Sequence, residues 1–401
     1  MTVLPAPGRR LALALGAVVA MNLPLGTVYA FSVFLRPLET ELGLNRAALS
    51  FVFGTAVLFF TVGMNVGPLL YRAAAPVALL AGCAAIAATG MALAAAASGL
   101  VELTLGYGVM FGLGGGGAYV LLLQGMNLML AATGAGRRGL VNGFIVSLYP
   151  AGAMIGAPLF GWALSAWGLR PTLAGLALTL AAAGTLSCLL VAAAGMRLEP
   201  PAGAAATPVP AGGRAIFWRL WIVFFLAAAA GLTVLGQAHG MVQAYGGGAA
   251  LALFATTAIT GCIAAARIGG GFLADRLAVP LVMGGAHALA LAGDLLLLGF
   301  PGPLVSVATL AMIGMGYGVI SGSTAAAIGL YWGEGHYGRM AGRLYIAWCA
   351  AAISLPVLAG RLFDLTGGYH PAIMIAAGAN LLGLVIAAGL PAAARAARSA
   401  G

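Results

Sequence analysis

Lysine is absent from this chain and acids are scarce: eight Asp and Glu stand against eighteen basic residues, all of them Arg. Only 6% of the 401 residues are charged, whereas a soluble domain needs about 25% to cover its surface. Too few charges exist to hydrate an exterior, so a soluble enzyme is excluded and the outer surface must face lipid. Cysteine is also rare. Cys83, Cys188, Cys262 and Cys349 all lie inside apolar segments and none is spaced for metal. This argues against a disulfide framework or a zinc site, and neither a metal nor a cofactor is expected. Long polar stretches are missing as well. The one exception is GMRLEPPAGAAATPVPAGGRAI, residues 195–216, a Pro- and Gly-rich linker.

What remains is hydrophobic, 62% of the chain. At about 20 apolar residues per span, twelve transmembrane helices are expected at 11–35, 47–69, 76–97, 101–130, 139–164, 172–194, 217–242, 250–274, 280–299, 303–331, 339–361 and 371–393. Arg9 and Arg10 before LALALGAVVA imitate a secretory signal, but the apolar run continues through Phe34, beyond the roughly 7–15 residues of a signal core. The net charge of +10 is read as topology and not as a nucleic-acid footprint. With both termini cytoplasmic, thirteen Arg fall in inner loops and tails and four in outer loops, which is the positive-inside bias. The expected location is a bacterial inner (cell) membrane, crossed many times by a monomer.

The two halves repeat. GYGVMFG at 106–112 returns as GYGVISG at 316–322, and GPLLYRAAAP at 67–76 as GFLADRLAVP at 271–280. Gly143, Tyr149, Gly161 and Gly168 align with Gly342, Trp348, Gly360 and Gly367. The fold class is thus all-α integral membrane, with two pseudo-symmetric six-helix bundles at 1–194 and 217–401 joined by the 195–216 linker. A parallel repeat of this kind resembles the major facilitator superfamily. That resemblance makes the loop after helix two, and its copy after helix eight, a cytoplasmic gate. The first copy has Tyr71 where the superfamily places Asp; the second keeps Asp275 and Arg276.

Arg267 is the main chemical anomaly. It lies in an apolar helix with no acid within a turn along the chain, and such a charge costs ~2.5–3.5 kcal/mol on the insertion scale. Thr256, Thr260, Ala264 and Gly271 share its face, whereas Leu251, Leu253 and Phe254 form a bulkier flank. The small, polar stripe predicts an inward-pointing guanidinium. Guanidinium geometry matches a carboxylate, so a small organic anion is the expected partner. In this register its counterpart is about Gly63, so the charge belongs to one half. An isolated cation also disfavours reorientation of the empty carrier, which favours exchange or a second, proton-carrying site. His239 and Asp294 are the candidates for proton coupling, with His287 as a third intramembrane ionisable group. LGGGGAY at 113–119 has no Lys and no preceding strand, so it is not a phosphate loop. Its glycines are expected to allow close helix contact.

GTVYAFSVFLRPLETELGLNRAALS at 26–50, the Tyr149-Pro150 pair, ARIGGGFLADR and GRLYIAW at 342–348 resemble the oxalate/formate antiporter family and the related monocarboxylate transporters. The resemblance covers most of the chain. It implies that the helix-eight Arg, here Arg267, binds substrate carboxylate. It also places an aromatic cage at Tyr29, Tyr119, Tyr149, Tyr317 and Tyr345. Three departures matter. Trp348 stands where the oxalate carrier has a second cation, so a monoanion is favoured over a dianion. Val33 and Ile263 stand where animal monocarboxylate transporters have a Lys and an Asp, so that proton route does not carry over. The expected function is a secondary transporter of lactate- or pyruvate-like monocarboxylates by alternating access, as anion exchanger or proton symporter, with the lipid bilayer as its solvent. The alternatives are an oxalate/formate-type dicarboxylate antiporter, an exporter of drugs or hydrophobic compounds, and a membrane sensor or enzyme, the last disfavoured because no catalytic cluster occurs.

Overall fold

The computed structural model describes residues 6–134, 137–200 and 212–392. Much of the expected linker, together with Arg395 and Arg398, lies outside them. By length and composition, twelve described helices can cross a membrane: α1 Gly8–Leu42, α2 Ala47–Leu69, α3 Pro76–Ala96, α4 Leu100–Ala132, α5 Arg138–Trp167, α6 Leu169–Ala194, α7 Gly213–Ala244, α8 Ala249–Ala274, α9 Val279–Gly299, α10 Pro303–Trp332, α11 Glu334–Thr366 and α12 His370–Ala388. The largest departure from the expected spans is α1, which continues to Leu42. The added turns, LRPLETEL, form an amphipathic helix that buries Leu38 alone. Leu178, Leu189, Leu281 and Val385 are among many large apolar side chains on the exterior, as a lipid-facing surface requires.

Contacts divide the chain into two compact units. The first comprises Met1–Ala135, Leu148–Ala206 and Glu334–Tyr345; the second comprises Gly136–Ser147, Thr207–Gly333 and Ile346–Gly401. The units therefore do not follow the sequence halves strictly: the opening residues of α5 group with the second and those of α11 with the first. Within the first, α3 packs on α6 and α4, α2 on α4, and α1 on α6. Within the second, α9 packs on α12 and α10, α8 on α10, and α7 on α12. Each unit thus contains the same set of helix pairs. The turns repeat too: Gly168 before α6 and Gly367 before α12 both have positive φ, 83° and 73°, a conformation that favours glycine.

Helix pairing depends on glycine meeting backbone. Gly112 and Gly116 of α4 face the carbonyls of Ala56 and Phe60 of α2, and Gly318 and Gly322 of α10 face those of Ile263 and Arg267 of α8. In the reverse direction, Gly63 faces Leu113 and Gly270 faces Val319. These contacts match when Gly112 is paired with Gly318 and Gly116 with Gly322. That register lies one helical turn away from the one that aligns GYGVMFG with GYGVISG. The wider π-helical segment Thr104–Phe111 sits in this stretch of α4, while α10 runs as regular α-helix. The counterpart of Arg267 is consequently Phe60 and not Gly63.

A methyl group at position 116 would collide with the Phe60 backbone, which cannot yield as a flexible side chain does. Gly116→Ala should therefore destabilise by about 1–3 kcal/mol, the usual range for overpacking. Gly54, with nothing within 4 Å of an added Cβ, should tolerate Ala. Thermal unfolding of the two purified variants checks the contrast; equal melting temperatures would remove glycine contact as the determinant of α2–α4 register.

Candidate functional site

Arg267 is buried, with 3% of its surface exposed. Its Nη1 donates to the Val146 carbonyl at 2.8 Å and its Nη2 to the Tyr317 hydroxyl at 2.9 Å. The guanidinium carbon lies 5.2 Å from the Tyr317 ring centroid, close enough for cation–π attraction. Both of these oxygens are neutral. Two glycines fix the Arg267 backbone: Gly143 of α5 and Gly322 of α10 each face its carbonyl. Leu253 and Phe254, the bulky flank of α8, are exposed. The second unit thus holds Arg267, Tyr317 and the first residues of α5 together. It also contains Trp348, which is buried.

The first unit gathers the remaining aromatic candidates. Tyr119 and Tyr345 share a hydroxyl–hydroxyl hydrogen bond of 2.7 Å. The Tyr149 ring stands edge-on to Tyr119 at 5.2 Å and to Tyr29 at 6.5 Å. Edge-to-face pairs at these separations each add about 0.5–1.5 kcal/mol beyond burial. The Tyr149 hydroxyl is buried without a hydrogen-bond partner among the described residues. Local backbone explains the placement of Tyr149: a Cβ on Gly26 would meet its backbone oxygen at 2.5 Å, so α1 and α5 touch directly. Gly26 also begins a 3₁₀ segment, Gly26–Phe34, that carries Tyr29. Phe60 belongs to this cluster, packing on Tyr119 at 5.7 Å and Tyr149 at 5.5 Å. Sequence reasoning missed it, because a lone Phe in an apolar span carries no signal. Its equivalence with Arg267 becomes visible only in the contact register.

The two gate copies are built differently. Both oxygens of Asp275 accept backbone N–H groups at the start of α5, from Gly139 at 2.7 Å and Leu140 at 2.9 Å. A carboxylate there satisfies donors that a helix start leaves open and sits favourably on the positive end of the helix dipole. Arg276 is exposed and lies over the Phe272 ring, 3.6 Å from its centroid. In the first unit, Tyr71 donates to the Val120 carbonyl at 3.3 Å, and burial pushes its phenol above the ordinary tyrosine range, so it stays neutral. The start of α11 is met instead by Gln124. Its Oε1 accepts from Gly338 N at 2.7 Å, and its Nε2 donates to the carbonyls of Glu334 and Leu198 at 3.0 and 3.2 Å. Gln124 was legible as an amide inside an apolar span but was not singled out.

Asp294 and His287 are fully buried on α9, whereas His239 on α7 is exposed. Among the described residues, no group of three or more His, Cys, Asp or Glu could hold a metal ion.

The sequence profile described as Major Facilitator Superfamily matches residues 18–353. Three solved structures share the fold at low identity. The transporter FucP in the outward conformation aligns with TM-score 0.68 and 16% identity, over 94% of this chain and 98% of its own. The human organic anion transporter MFSD10 (TETRAN) gives 0.68 and 16%, over 96% and 100%. The proton:xylose symporter XylE, bound to 6-bromo-6-deoxy-D-glucose, gives 0.71 and 15%, over 96% of each chain. No curated protein matches the chain.

If Asp275 anchors the start of α5, Asp275→Ala should weaken that anchor by about 0.5–2 kcal/mol, the worth of a helix cap. Amide hydrogen exchange should then accelerate at Gly139 and Leu140. Asp275→Asn, which keeps one acceptor, should fall between. Unchanged protection in Asp275→Ala would dismiss the anchoring role.

Proposed function

The chain belongs to the Major Facilitator Superfamily, and from that premise we propose that this twelve-helix secondary transporter carries small monocarboxylates of the lactate and pyruvate kind by alternating access. The observation that carries the reading is the burial of Arg267 on a membrane-spanning helix, with its guanidinium held in place by two neutral oxygens. A permanent charge at such a position is expensive, and intramembrane charges mark substrate pathways. The carbonyl and the phenol hydroxyl help fix the orientation of the guanidinium. An incoming carboxylate can take paired, charge-assisted hydrogen bonds from it, and Tyr317 beside it offers a further hydroxyl.

One guanidinium neutralises one carboxylate. In place of a second cation, Trp348 offers an apolar ring, which suits the short hydrocarbon or hydroxylated tail of a monoacid and disfavours the second charge of oxalate. In the first unit, Tyr119 and Tyr149, ordered by Tyr29 and Tyr345, are assigned as substrate-contacting residues in their own right. Asp275 acts as a gate residue through the start of α5.

A thermal-shift screen of the purified protein tests the reading. Ligands that bind only the folded state add about 2.7 kcal/mol at 100-fold excess over Kd. Lactate, pyruvate and formate should raise the melting temperature of the wild type and leave Arg267→Gln unmoved. A larger shift with oxalate would favour the dicarboxylate alternative. No shift with any anion, or an equal one in the variant, would make Arg267 structural and turn attention to hydrophobic-compound export.

A further inference from the structure

Asp294 is the one buried acid among the eight in the chain. The other acids lie in or near polar segments, whereas Asp294 sits inside α9 with no exposed surface. It is not isolated. Asn380 of α12 donates from Nδ2 to Asp294 Oδ2 at 2.8 Å, and Asn380 Oδ1 meets His287 Nδ1 at 2.9 Å. An amide oxygen only accepts, so the His287 Nδ1 carries hydrogen and donates. The chain His287–Asn380–Asp294 therefore has a fixed sense: the histidine holds the amide oxygen, which turns the amide N–H toward the carboxyl. The other carboxyl oxygen, Oδ1, is buried with no hydrogen-bond partner among the described residues.

Asp294 also lines a cavity of the second unit that opens past the exposed Leu358 and Ile375, with Thr233, Met241, Ile313, Leu362 and Ile373 among its walls. Thr233 is the only other polar residue on its walls, and its hydroxyl already donates to the Ala229 carbonyl at 2.8 Å. An ionised carboxylate facing this lining has a single amide donor to replace its hydration, which is a poor exchange. A carboxylic acid needs far less. The helices packed on α9 carry few other ionisable groups: Tyr317 and Tyr331 on α10, Cys262 and Arg267 on α8, and His370 on α12. Across the cavity, α7 contributes His239 with Arg214 and Arg219, and α11 carries Arg361 and Asp364. None of these lines the cavity; among ionisable side chains, the hydrogen-bonded chain ties Asp294 to His287 alone.

Charge balance gives this acid a task. Empty, with Asp294 ionised, it and Arg267 sum to zero. Loaded with a monocarboxylate and with Asp294 protonated, the same pair and its cargo again sum to zero. Either form can cross the low-dielectric interior without carrying net charge. We propose that Asp294, oriented by Asn380 and His287, is the proton-binding site of this transporter, and that one proton crosses with each carboxylate. The step is a single protonation of the carboxylate at Oδ1, reversed on the other side, with no redox change. The coupling to carboxylate rests on the reading of Arg267 above; the proton site itself does not.

The experiment has two arms, both on the full chain. In the first, infrared difference titration of the purified protein follows the carbonyl stretch of a protonated carboxyl. The wild type should show a titrating band that Asp294→Asn lacks, and His287→Gln should move the pH of its midpoint. If Asp294→Asn does not fold, Asp294→Glu should shift the band in frequency. A wild type without such a band, or a band unchanged in the Asp294 variant, overturns the proton site. In the second arm, proteoliposomes loaded with a pH dye receive a lactate gradient. Wild-type influx should acidify the lumen. Asp294→Asn should lose that acidification and lose accumulation against a gradient, while exchange of lactate for lactate persists, because the amide stands in for the protonated acid. Acidification by Asp294→Asn equal to the wild type overturns the coupling. If the wild type exchanges no lactate, the carboxylate reading and its one-to-one coupling both fail, and the infrared arm still decides the proton site.

Discussion

Lipid gives helices no hydrophobic reason to associate, so the contact of glycine with a neighbouring carbonyl governs this fold. In each unit two glycines one turn apart lock a pair of helices, Gly112 and Gly116 on α2, Gly318 and Gly322 on α8. Because backbone meets backbone, the register is set in steps of one turn, and a side chain between the locked turns has little freedom to move. The lock fixes Phe60 in one unit and Arg267 in the other. Equivalent positions of the two units thus hold an aromatic ring in one and a charge in the other, on the same scaffold.

The same division runs through the helix starts. The opening turns of α5 and α11 are each met by a side chain from elsewhere in their own compact unit, Asp275 for the former and Gln124 for the latter. A carboxylate on a helix start is a charge-assisted contact; an amide is a neutral one. The two units thus share a side-chain contact at the start of a helix but supply it from different elements, the end of α8 for Asp275 and the interior of α4 for Gln124. This also explains why residues 136–147 and 334–345 group away from the bulk of their own halves. The first few turns of each helix are held by polar contacts within the unit they group with.

Much of this was legible in the sequence, for physical reasons. Twelve spans follow from length and hydrophobicity, since the bilayer imposes a near-binary code. Arg267 was conspicuous because charge is rare at membrane depth. The turns at Gly168 and Gly367 were aligned correctly because glycine at positive φ leaves a positional mark. The register of the repeat was misjudged by one turn. GYGVMFG and GYGVISG are nearly identical strings, but identity of letters does not encode which glycines meet a neighbouring carbonyl, nor the π segment at Thr104–Phe111 in the first copy. Phe60, Gln124 and Asn380 were missed for different reasons. A Phe is silent in an apolar span, whereas the two amides were visible anomalies whose partners lie 210 and 86 residues away. Pairings at such separations are tertiary facts.

The 3₁₀ segment in α1 has a mechanical implication. Nine residues, Gly26–Phe34, are wound in this tighter form, although such runs rarely exceed 3–4 residues. At about 2.0 Å per residue the segment is some 4–5 Å longer than the same residues at the 1.5 Å rise of an α-helix. It also turns by about 120° per residue in place of 100°, so the excess rotation accumulates to about half a revolution along its length. Relaxation to α-helix would draw the two ends of α1 together and swing Tyr29 away from its present neighbour Tyr149. The segment is therefore a store of both length and twist, wound directly beneath an aromatic side chain of the candidate site.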